Sequence, residues 1–254
     1  MKLDYMKRIV FALVLVAILN ACSTNVQQEK SDTTAYNEEQ SLPGDSTLYG
    51  LACEGCNDSV LVYIPLSGGD PDTLDILNAR INRKVFGRPD IGDEIAFVLN
   101  GTGKKSADLV INLERLKGEW CYLVMPKLRA LPGASPNEAA TLLPNFPDSL
   151  KEKWFQPREY GMELQRDQVV RPIGIRHPAA VRQDTPVEYP EVKLYREWHI
   201  YNGHLLLSEM QVDTLGKQQV TAIDTADIVL LKRDTLLLRF NDQKEQGYYR
   251  KTNE

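Results

Sequence analysis

From Glu119 to Lys251 the chain is a succession of short β-type segments separated by turns, and this pattern most limits what it can fold into. Asn202-Gly203 is its strongest local signal. Both residues suit the positive φ of a two-residue hairpin turn, and strand-like runs, Leu194–Tyr201 and His204–Met210, flank it. Arg233-Asp234 separates a second pair of runs, 225–232 and 235–240. Period-two alternation is visible there: Leu230, Leu236, Leu238 and Phe240 stand against Lys232, Thr235 and Arg239. Met162–Arg166 and Val169–Ile175 read as another hairpin. With Glu119–Met125, Val220–Ile223 joined to the run after it, and 247–251, the sum is about eight strands, enough for a barrel that encloses a small cavity. Residues 126–157 break the pattern. Ser135-Pro136-Asn137-Glu138 carries a helix-start signature for a helix to about Leu143, and Pro147-Asp148-Ser149 opens a short helix through Trp154. This excursion is expected to lie over one mouth of the barrel.

The same stretch opens with Gly118-Glu119-Trp120 and closes with Tyr248-Tyr249-Arg250-Lys251. Gly118-x-Trp120 at the front of such a strand series resembles the signature of lipocalin-like barrels. The resemblance implies that Trp120 lies across the bottom of the barrel. It also implies that Arg250, from the last strand, stacks on the indole face in a cation–π contact of about 1 kcal/mol. Read without the resemblance, Trp120 is a core aromatic on a β-strand.

Residues 47–113 form a second series of short strands: Thr47–Ala52, Ser59–Ile64, Thr73–Leu77, Lys84–Phe86, Glu94–Leu99 and Ala107–Leu113. Strands at this spacing with no helix between them suggest a small barrel. The Gly92-Asp93 turn into an apolar strand is similar to turns in OB-like and SH3-like barrels. The expected fold is therefore mainly β: a small N-terminal OB/SH3-like barrel (47–113), then a lipocalin-like antiparallel barrel with a short helical insertion (114–254).

The first 21 residues read as a signal peptide, with Lys2, Lys7 and Arg8 before the apolar run Ile9–Leu19. The run is too short to span a bilayer as a mature helix. It ends in Leu19-Asn20-Ala21-Cys22, which looks like a bacterial lipobox, and that resemblance implies a lipidated Cys22 anchored stably in a membrane. Ser23 after the cysteine points to the outer membrane. Residues 22–46, rich in Ser, Thr, Asn, Gln and Glu, read as a flexible tether, since they hold too little apolar surface to offset the entropy of ordering. The chain is acidic, with a formal net charge of -5, and removal of the leader would make it more so. It carries no basic patch with interleaved aromatics, so nucleic acid is not an expected partner.

Cys53-Glu54-Gly55-Cys56 admits three readings. A redox pair needs a helix N-terminus or nearby cations to depress a thiol pKa, and Glu54 and Asp58 work against that. A zinc site needs further ligands, for which Cys121 and His199 or His204 are candidates at no recognisable spacing. A structural Cys53–Cys56 disulfide clamping a turn suits an oxidising envelope and is the expected state. Cys121 then reads as a buried thiol. His177, His199 and His204 read as surface or hairpin residues. Trp154, Phe155, Tyr160, Trp198 and Tyr201 read either as a pocket mouth or, more simply, as core.

No nucleophile elbow, phosphate loop or dinucleotide fingerprint is present. No catalytic residue, metal ligand or cofactor is assigned. The expectation is a non-catalytic envelope lipoprotein that holds a small apolar or amphipathic ligand in its second barrel. The alternatives are a structural or assembly partner in an outer-membrane protein complex, and a hydrolase whose site is assembled by folding.

Overall fold

The computed structural model describes residues 42–101, 105–128, 147–174, 187–212 and 218–251. The leader, Cys22, most of the tether, the expected Ser135–Leu143 helix and His177 lie outside the described residues.

The chain opens with β1 (Thr47–Ala52), β2 (Val60–Pro65) and β3 (Asp72–Asp75). A five-residue helix α1 (Leu77–Ile81) follows, then β4 (Val85–Phe86), β5 (Glu94–Leu99) and β6 (Ala107–Asn112). These strands form one sheet in the order β3-β2-β1-β5-β6-β4, with β4 parallel to β6 and the other pairs antiparallel. The helix is a correction to a series expected to have none. One side chain in it, Ala79, is buried, which leaves the 3.6-residue periodicity with almost nothing to show.

A single-turn helix α2 (Leu113–Leu116) joins the two sheets. Its cap is Asn112, whose side chain accepts from the Arg115 N–H at 3.0 Å and donates to Asp93 Oδ2 at 2.6 Å and Arg88 O at 2.9 Å. Asn112 is fully buried, and these bonds compensate its desolvation.

Next come β7 (Gly118–Val124), β8 (Lys127–Leu128), helix α3 (Asp148–Trp154), β9 (Arg158–Leu164), β10 (Val170–Ile173) and β11 (Val187–Glu188). The chain ends with β12 (Tyr195–Tyr201), β13 (His204–Val212), β14 (Gln218–Leu231), β15 (Thr235–Phe240) and β16 (Glu245–Arg250). Eight of them form an antiparallel sheet, ordered β10-β9-β7-β16-β15-β14-β13-β12. Its two edges meet through a bridge between Val169 and Glu197 and a 2.8 Å bond from the Trp198 N–H to Gln168 O, so the sheet is a nearly closed barrel. Among the described residues β8 and β11 pair only with each other, adding a short ladder outside the barrel sheet.

Pairing fixes which side chains point inward, because directly opposed residues share a face. Trp120 opposes Met162 and Arg250, Leu236 opposes Tyr248, and Ala226 opposes Phe240. A register shift between Ile228 and Leu230 puts Leu231, not Leu230, opposite Leu236 and into the core.

The barrel core does not stop at the boundary between the two sheets. Phe86, Ala96 and Ile111 of the first sheet pack with Leu113, Leu116, Trp120, Ile200 and Leu205 in one cluster. A second cluster, around Leu61, Ile95 and Phe97, lies inside the first unit. The first sheet thus closes one end of the barrel. Lys117 braces the junction, with Nζ 2.6 Å from Glu94 Oε2 and 3.1 Å from Glu114 Oε1.

Candidate functional site

The barrel has a packed end and a hollow end. The packed end is built on Trp120, which is fully buried. Its indole N–H donates to Leu116 O at 2.6 Å, and the Arg250 guanidinium lies 4.3 Å from the ring centroid. Arg250 also donates to Lys117 O at 2.9 Å, to Arg233 O at 2.8 Å and to Arg115 O. Trp120 and Arg250 together therefore satisfy the carbonyls left over where α2 ends. Gly118 is needed for this arrangement. Its φ is +127°, and a Cβ there would stand 2.3 Å from Arg250 Nη1.

Moving along β7 from Trp120, the inward positions change from filled to open. Leu164, Leu205, Leu207, Leu236 and Leu238 are all at or near zero exposure around the packed end. Beyond them lies a cavity of about 600 Å³. That is well inside the range of small-molecule pockets and corresponds to roughly twenty water volumes. It opens at the end away from Trp120, where the half-exposed Asp242 and Glu245 form part of its lining.

Four aromatics supply the body of the lining: Tyr122, Tyr195, Phe240 and Tyr248. Tyr122 and Tyr248 meet edge to face, with centroids 5.3 Å apart and planes at 87°. Met162, Val170, Pro172 and Val192 add apolar wall. Burial raises the pKa of the Tyr122 and Tyr248 hydroxyls, so both remain neutral phenols at physiological pH.

One polar constellation faces this space. Asp224 Oδ2 accepts from the Tyr195 hydroxyl at 2.5 Å and lies 2.6 Å from Lys193 Nζ. Burial, then the Asp224 carboxylate, raises the Tyr195 pKa far above its ordinary value, so Tyr195 is held as a donor. The sequence places Asp224 mid-strand in β14 and Lys193 just before β12. They meet across β13, with which both β12 and β14 pair.

Several sequence expectations settle differently. Cys53 and Cys56 are free thiols, and the expected disulfide is not formed. Each sulfur is directed to backbone instead: Cys53 to Leu51 O at 3.6 Å, Cys56 to Val62 O and the Val62 N–H, both at 3.3 Å. Neither lines the cavity. Cys121 is a buried free thiol on the opposite wall face from Trp120.

The aromatics weighed for a pocket mouth fall elsewhere. Tyr160 and Trp198 are core, and none of Trp154, Phe155 or Tyr201 lines the cavity. Tyr122 and Phe240 could have been found by continuing the inward alternation from Trp120 and Leu238, whereas the bulge between Tyr195 and Glu197 puts Tyr195 out of step with Trp198. His204 Nδ1 is 2.6 Å from Asp227 Oδ1, and His199 Nε2 is 3.7 Å from Glu197 Oε2; neither faces the cavity. Among the described residues no group of three or more His, Cys, Asp or Glu is placed to hold a metal ion. Comparison with protein-family models, curated proteins and solved structures gave no match.

Proposed function

We propose that the protein is a non-catalytic binding module whose ligand is a small amphipathic molecule held in the open half of the eight-stranded barrel. The observation that carries the reading is the cavity of about 600 Å³ with four aromatic side chains in its lining. A packed floor with a hollow mouth is the arrangement a lipocalin-like binding barrel needs, and the stacked Trp120–Arg250 floor supports that likeness. The first unit, read as an OB/SH3-like barrel, then serves as the plug behind that floor. After removal of the leader, lipidation at Cys22 and a tether running from it to the Asp45–Ser46 contact with Asn202 would hold the module at the outer membrane.

The test is saturable binding of N-phenyl-1-naphthylamine, whose emission rises in apolar surroundings. Gln246 is half-buried and directly opposes the inward Leu238, so Gln246→Trp directs an indole into the cavity. The reading predicts saturable enhancement with the native chain and its loss in Gln246→Trp at unchanged stability. Enhancement that persists undiminished in a folded Gln246→Trp variant would place the probe elsewhere and contradict the reading.

The second reading, an assembly partner in an envelope complex, is favoured by one feature. Residues 218–223 at the outer end of β14 are all exposed, including Val220 at 50% and Ile223 at 56%. Gentle-detergent pull-down that recovers an envelope protein with the native chain, and not with Val220→Lys/Ile223→Lys, is the outcome it requires.

A further inference from the structure

The charges around the cavity choose among amphiphiles. We infer that the ligand's polar end is cationic, an amine or quaternary ammonium, with its apolar part against the aromatic lining. This rests on the cavity being the binding site.

The lining contains four carboxylates, Glu191, Asp224, Asp242 and Glu245, against two lysines, Lys193 and Lys244. Both lysines already have a carboxylate: Lys193 Nζ lies 2.6 Å from Asp224 and Lys244 Nζ 2.8 Å from Asp242. Glu245 faces Arg239 at 2.7 Å. An anionic head entering the mouth would therefore meet no unpaired lining cation. It would have to break a lysine–aspartate contact and still face the exposed Glu191. A cationic head meets the opposite situation. It adds to a net-negative lining, and two local features receive it. Asp224 directs both of its short contacts to Oδ2, so its other oxygen is not engaged by Lys193 or Tyr195. The tyrosine and phenylalanine rings present electron-rich faces that attract a cation, most strongly for ammonium groups that are weakly hydrated. Burial holds Tyr248 and Tyr122 in the neutral form, so the rings act through their quadrupoles rather than as phenolates.

The experiment displaces N-phenyl-1-naphthylamine from the full chain. The competitors are three amphiphiles of one alkyl length, each below its micelle concentration: an alkyltrimethylammonium, a neutral alkyl glycol ether and an alkyl carboxylate. The expected order is ammonium tightest, with roughly a tenfold advantage over the carboxylate at low salt that shrinks as salt rises. Glu191 is exposed, so Glu191→Lys keeps the fold while it reverses one lining charge, and it narrows or inverts that advantage. A carboxylate or neutral amphiphile that binds as tightly as the ammonium overturns this inference and leaves the cavity reading standing. Failure of all three, together with failure of the probe itself, overturns the cavity reading and this inference with it. An ammonium preference unchanged in Glu191→Lys and insensitive to salt also overturns it, since the discrimination then does not come from the lining charge.

Discussion

At the scale of single residues, Arg250 bears more than a stacking contact. It closes three backbone carbonyls, those of Arg115, Lys117 and Arg233, while its plane covers Trp120. Arg250→Ala leaves these acceptors without their charged donor, and a loss of about 2–4 kcal/mol is expected in urea unfolding. Arg250→Lys should recover little of it. One ammonium cannot serve three carbonyls and lie flat on an indole at once. Cys121 makes a second prediction. Burial, then the Glu159 carboxylate, pushes its thiol from 9.0 up to about 11. The folded value is the higher, so the unfolded chain releases this proton first. The contribution is intact below pH 9.0 and is lost as pH rises toward about 11. The stability difference from Cys121→Ala, read by denaturant unfolding, should therefore be constant below pH 9.0 and shift by roughly 1–3 kcal/mol as pH rises toward about 11. Mass mapping of alkylated peptides from the native protein should find Cys53 and Cys56 labelled and Cys121 protected, since the first two are partly exposed and Cys121 is not.

At the scale of elements, the turn of the β12–β13 hairpin is legible in Asn202-Gly203, although its strands run Tyr195–Tyr201 and His204–Val212 rather than from Leu194 and to Met210, and it does more than reverse the chain. Asn202 and Gly203 take φ values of 49° and 80°. The Asn202 side chain accepts from the Ser46 N–H at 2.8 Å and hydroxyl at 2.6 Å, and the Asn202 N–H donates to Asp45 at 2.8 Å. The tip is thereby tied to the residues that precede β1. Asn202→Ala loses the two side-chain bonds to Ser46, retains the backbone bond to Asp45 and keeps a positive φ, for an expected cost of about 1–2 kcal/mol by thermal unfolding. Other elements were legible for equally local reasons. The β14–β15 alternation holds for Leu236, Leu238 and Phe240, because pairing at those positions is regular. It fails at Leu230 because one bulge advances the register, and a bulge adds a residue without marking it in composition. Helix α1 is not legible in the sequence because five residues with one buried position leave no period to read. The Cys53–Cys56 pairing is an expectation that rests on the redox compartment. The structure shows that spacing alone does not direct two sulfurs at each other when backbone groups are within reach. The cavity was the least legible feature. Its lining comes from β7, β9, β10, β12, β14, β15, β16 and the segment before β12, and only the closed curvature gathers them.

At the scale of the molecule, the chain passes from one sheet to the other between β6 and β7, yet the cores do not divide there. Phe86 and Ile111 pack in the same cluster as Trp120 and Leu205. Unfolding should accordingly be a single transition, coincident by far-UV circular dichroism and tryptophan emission, and a chain cut after Leu113 should not give two stable halves. The continuous core also gives the site its polarity. One end of the barrel is stoppered by the first unit and the Trp120–Arg250 floor, which leaves the far end as the way into the cavity. The most direct test is a set of intermolecular nuclear Overhauser contacts between decyltrimethylammonium and the native protein. The account predicts contacts from the alkyl methylenes to the rings of Tyr122, Phe240 and Tyr248, and none to Trp120. Contacts confined to outer-wall side chains such as Leu123 or Val220, with those three rings silent, would contradict it.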